Sequence, residues 1–102
     1  MAFDGKEGSM IDKTVAAPMT KAWRTKYPNS TRSVFLGQEK LNQLLAPADA
    51  MGIRFYFALD ANGKETVVAV AAQASQDDKL DKILDQSKQD PPYSSGPNVL
   101  NS

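Results

Sequence analysis

The sequence predicts a small α+β domain built on one antiparallel hairpin, and three observations carry that expectation. Residues 52–59 (Gly-Ile-Arg-Phe-Tyr-Phe-Ala-Leu) and 64–72 are rich in aromatic and β-branched side chains, the composition of paired strands. Between them, Asp60-Ala61-Asn62-Gly63 suits a type I turn whose last residue is left-handed, the closure of a hairpin with a G1 bulge. Elsewhere, apolar residues recur at i, i+3, i+4 and i+7, the period of helices.

In chain order, residues 1–9 are polar and glycine-bearing and read as a flexible arm, and residues 10–90 as the single domain. A helix is expected over about 14–27, with Ala16, Met19 or Thr20, Trp23 and Tyr27 on one side. Pro18 restricts its start: either Thr14 caps it with Pro18 near the first turn, or regular helix begins at Ala17. Pro28 with Asn29-Ser30 ends it. Residues 33–36 form a short apolar strand expected to join the hairpin in a three-stranded sheet. Leu41, Leu44 and Leu45 place a second helix at about 38–46.

The turn sets the hairpin register. Asp60 opposite Lys64 places Phe57 across from Val67, Phe55 from Ala69 and Ile53 from Ala71 on one face. The other face carries Arg54, Tyr56, Ala58, Thr66, Val68 and Val70. After the hairpin, Ser75 and Asp78 resemble a capping box, and Leu80, Ile83 and Leu84 extend it into a third helix at about 76–88. The Pro-Pro-Tyr segment then opens a Pro-rich extended tail, 91–102.

Composition narrows the chemistry. A chain of 102 residues has room for one modest core. Twelve basic and twelve acidic residues cancel, so the total charge steers the chain towards neither nucleic acid nor an anionic membrane. The absence of cysteine and histidine removes disulfides, thiolate chemistry, imidazole bases and the usual metal ligands. No apolar run is long enough for a signal or a membrane span, which reads as a cytoplasmic protein with no membrane partner.

A set of ordered motifs stands out: Trp23-Arg24 near a helix end, Val34-Phe35-Leu36-Gly37, Gly52-Ile53-Arg54 with alternating aromatics, Leu59-Asp60, and a Pro-Pro-Tyr tail closing on Leu100-Asn101-Ser102. From about Ile11 onward the chain resembles a family of small uncharacterised bacterial proteins. The resemblance implies the order of the elements and brings no activity. Members often carry a cysteine on each side of the Pro-Pro pair, where this chain has Asp90 and Ser94, so a covalent or metal clip there is not implied for it.

Two surfaces are candidates for function. Lys21, Arg24, Lys26 and Arg32, with Trp23 and Tyr27 interleaved, form a basic patch suited to phosphates and stacked bases. Helical spacing favours a solvated basic side with the aromatics turned to the core, so nucleic acid is not the expected partner. Arg54, Tyr56, Val68 and Val70 form the second candidate, a ligand or partner surface; alternatively the Arg54 head meets Glu39, Asp49 or a tail carbonyl. Asp77, Asp81 and Asp85 share a face of the expected third helix, without the spacing of a calcium loop. No nucleophile, P-loop or dinucleotide motif occurs, and no catalytic residue, metal or cofactor is expected. The expected role is a non-catalytic protein-interaction module that binds another protein or a second copy of itself; the alternatives are weak nucleic-acid binding through residues 21–32 and, after it, a small acid-base enzyme working without histidine or cysteine.

Overall fold

The hairpin forms where its turn chemistry places it. The structure, a computed structural model, describes residues 2–102. Strands β2 (Gly52–Leu59) and β3 (Glu65–Ala72) pair antiparallel with Phe57 opposite Val67, Phe55 opposite Ala69 and Ile53 opposite Ala71. The Asp60 amide donates to the Lys64 carbonyl at 2.9 Å, and one Asp60 carboxylate oxygen accepts the amides of Asn62 and Lys64. Gly63 takes the left-handed conformation, φ +77°, that the turn requires. The Lys64 amide, with the Gln89 side chain second, holds the Asp60 carboxyl below the ordinary carboxylate range.

The remaining elements are α1 (Lys13–Lys26), β1 (Ser33–Phe35), α2 (Gln38–Leu45), β4 (Asp78–Leu84) and β5 (Lys88–Asp90). They make an α+β fold with a three-stranded sheet in the order β2-β3-β4 and a two-stranded sheet, β1-β5, all antiparallel. Helix α2 lays Leu44 over Ala69 and Ala71, and Leu36, Ala50, Ile53 and Leu84 surround that contact. On the opposite face Val70 is fully enclosed at 1% exposure.

Several expectations are corrected. The expected third helix at 76–88 is instead β4 and the start of β5. A turn over Gln73 to Asp77, with Gln76 in a left-handed conformation, sends the chain back along β3. Asp77, Asp81 and Asp85 therefore share no helical face. Strand β1 pairs with β5 rather than joining the hairpin, and β4 takes the outer side of β3 instead. The tail coils back on itself, Asn98 and Asn101 bonding the main chain of residues 95–101.

Helix α1 begins one residue after Asp12, whose carboxylate accepts the Thr14 amide as the N-cap, and it carries Pro18 in its interior. No residue of α1 is buried, so Trp23 and Tyr27 do not enter the core. They pack against each other with ring centroids 4.5 Å apart and planes tilted by 46°. The arm returns to the sheet: the Phe3 amide donates to the Ala74 carbonyl, and the Phe3 ring lies 5.5 Å from the Arg54 guanidinium.

The buried apolar core is consequently small: Leu44, Val67, Val70 and three alanines. Phenylalanine facing alanine holds as a register but not as packing. Helix α2 has only eight residues and covers the Ile53 end, leaving Phe55 half exposed and Phe57 95% exposed.

Candidate interaction surface

Beyond the reach of α2, the apolar side chains of the hairpin continue into a groove. Phe57, Leu59 and Val67 supply its sheet side, Met19 and Trp23 its helical side, and Leu100 its tail side, enclosing about 870 Å³. Three polar contacts hold α1 across this space. Trp23 Nε1 donates to the Thr31 carbonyl at 3.0 Å, and Arg24 donates to the main-chain oxygens of Leu100 and Ser102 at 2.5 and 2.6 Å. A helix held by polar contacts over an apolar space has little area at stake in its attachment.

Asp90 forms the polar base of the groove. It is 4% exposed and accepts hydrogen bonds from Arg32 Nη2 at 2.9 Å, Ser33 Oγ at 3.1 Å and the Ser94 hydroxyl. The Ser94 bond first, then Ser33 and Arg32, holds its carboxyl below the ordinary range against the opposing effect of burial.

This geometry engages half of the basic patch. Arg24 and Arg32 spend their donors on the tail and on Asp90, whereas Lys21 is exposed and Lys26 lies 5.6 Å from the Tyr27 ring centroid. Two exposed lysines make a thin phosphate-binding set.

The second candidate surface is divided. Arg54 and Tyr56 converge on one carboxylate, Asp78, and Arg54 also donates to the Gln76 carbonyl at 3.0 Å. The partner is none of those expected, because the helix placed over Asp78 is a strand. Val68 is half-buried and Val70 is enclosed, so Val70 offers nothing to a partner. The Asp78 hydrogen bond first, with desolvation second, raises the Tyr56 phenol above its ordinary value of 10.0. A group raised on folding contributes stability that is full below the unfolded value and lost as pH rises through the folded one. In an absorbance titration of the three tyrosines, Tyr56 is expected to ionise above about pH 10, and Asp78→Asn to lower that midpoint. An unchanged titration in Asp78→Asn contradicts this.

The chain matches no protein-family model, no curated protein and no solved structure. The surface must therefore be read from its own chemistry. Among the described residues no helix is long and apolar enough to cross a membrane.

The residues missed by sequence reasoning are Phe57, Leu59, Met19 and Trp23 as exposed groups, together with Asp90 as a buried one. Alternation placed Phe57 on the face opposing Val67 and Ala69, and helical period placed Trp23, with Met19 or Thr20, on the inner side of the helix; Leu59 was singled out by neither. For Asp90 a signal was present: a lone acid beside Pro-Pro, within reach of the Arg32-Ser33 pair if the two segments meet.

Proposed function

We propose that this protein is a non-catalytic interaction module that binds polypeptide through the apolar surface formed by β2 and the adjoining groove. One observation carries the reading. The chain exposes 7661 Å², whereas a compact monomer of its mass exposes about 5,700 Å². The arm contributes to the excess, but Phe55, Phe57, Leu59, Met19 and Trp23 belong to the folded elements. Large apolar side chains exposed side by side on folded elements, and bordered by polar ones, mark a surface made to be covered. The lack of histidine and cysteine in the sequence supports a role without catalysis. The engaged Arg24 and Arg32 support protein rather than nucleic acid as the partner.

The test combines light scattering over a wide concentration range with affinity capture, using the wild type and Phe57→Asp. The expected result is association, with itself or with another protein, that Phe57→Asp weakens at least tenfold, since it removes a large apolar contact and buries a charge. A strict monomer that captures nothing in a Phe57-dependent way would end the reading.

A further inference from the structure

Resting on that reading, we infer that the partner is a second copy of this chain, joined edge to edge along β2 in one specific register. Strand β2 is an outer strand of the three-stranded sheet. Asp60 and Lys64 exchange a ladder hydrogen bond, and ladder bonding alternates along a strand. The even-numbered residues of β2 therefore bond β3, and Ile53, Phe55, Phe57 and Leu59 turn their N–H and C=O groups outward. Among the described residues, no turn, loop or side-chain hydrogen bond reaches these groups.

The two edges of the sheet are treated differently. Strand β4 carries exposed Asp81 and Lys82, the charges that keep an edge from pairing. Strand β2 has eight residues, no proline and no lysine, and its single charge, Arg54, is bonded to Asp78. By charge it is the less guarded edge, and the arm residues Phe3, Gly5 and Glu7 lie beside only its Gly52–Arg54 end.

Self-pairing across a two-fold axis must join outward residues to outward residues. The register that uses all four puts Tyr56 opposite Tyr56 on the axis, Phe55 opposite Phe57 of the second copy, Ile53 opposite Leu59, and Arg54 opposite Ala58. Every exposed apolar side chain of β2 then meets an apolar one, and Arg54 does not meet its own copy. The chain has no net charge, so two copies do not repel at a distance. Pairing doubles the three-stranded sheet, and the isologous contact closes it without leading to a filament.

Cysteine scanning tests the register directly, because the chain has no cysteine of its own. Tyr56 pairs with itself at a position lacking ladder bonds across the new interface, where side chains approach most closely. Under oxidising conditions Tyr56→Cys is expected to form a covalent dimer, whereas Phe55→Cys and Ala58→Cys stay largely uncrosslinked. Light scattering of the wild type is expected to give twice the 11.1 kDa chain mass. Phe57→Pro, which removes an outward amide and no β2–β3 bond, is expected to give a folded monomer. If it fails to fold, Phe57→Lys serves the same purpose. A dimer whose Tyr56→Cys form does not crosslink overturns the register while the interaction module stands. A monomeric wild type that still captures another protein through Phe57 overturns the second copy as partner, again without removing the proposed function.

Discussion

Asp90→Ala is expected to destabilise the fold by about 3 kcal/mol, the scale of losing charge-assisted hydrogen bonds while leaving their donors stranded. For a chain of this size that corresponds to a Tm lower by roughly 10–20 °C. The effect is large because one enclosed carboxylate ties together three segments. Ser33 opens β1 and Arg32 immediately precedes it, Asp90 ends β5, and Ser94 belongs to the tail. The Arg32 amide also donates to the Asp90 carbonyl at 2.6 Å. Removing the carboxylate loosens the smaller sheet and the polar base of the groove together.

The same group sets part of the acid response. Its carboxyl is depressed on folding, so its contribution to stability is present above the unfolded value of about 3.9 and is lost as pH falls through the folded value. Wild-type stability should therefore be flat from pH 7 to about 5 and fall below about 4, with a shallower fall in Asp90→Asn. Denaturant titrations across this range check both statements. A change of less than about 1 kcal/mol in Asp90→Ala would show that the carboxylate does not bind the segments together.

Leu44→Ala is expected to cost about 2–4 kcal/mol. Leu44 is the buried side chain through which α2 reaches the sheet, and it rests on Ala69 and Ala71, which cannot expand to fill the space it leaves. With a core this small, a loss of that size removes a large part of the total stability typical of a domain. Leu45→Ala, one position along and 44% exposed, is expected to cost under about 1 kcal/mol. Chemical denaturation of the two variants separates them, and equal costs would contradict the placement of α2.

The hairpin was legible because its information is local. Asp60, Asn62 and Gly63 specify the turn, and the turn specifies every pair from Leu59 and Glu65 outward. Strand β4 was not legible, because Leu80, Ile83 and Leu84 repeat with a helical period and Ser75 with Asp78 imitates a cap. Partners distant in sequence decide that segment. Asp78 is held by Arg54 and Tyr56, Lys79 by Asp49, and the alanine-rich β3 provides a ladder. Tertiary contacts of this kind override local periodicity.

Exposure was harder to read than pairing. Alternation showed that Phe55 and Phe57 share a face with Val67 and Ala69, but it carries no information on whether anything covers that face. The length of α2 decides this, and its eight residues stop short. Of the candidate residues, Arg54 and Tyr56 do lie together, yet on an internal carboxylate, and the basic patch divides between structural arginines and solvated lysines. The exposed apolar side chains lie among residues whose periodicity pointed to the core.

Amide hydrogen exchange resolved residue by residue along β2, at a protein concentration that favours association, tests the account most directly. Protection at Ile53, Phe55, Phe57 and Leu59 equal to that at Arg54, Tyr56 and Ala58 is the expected result, since both edges of the strand are then bonded. An alternating pattern, with the even residues slow and the odd ones exchanging as freely as an open edge, would contradict it.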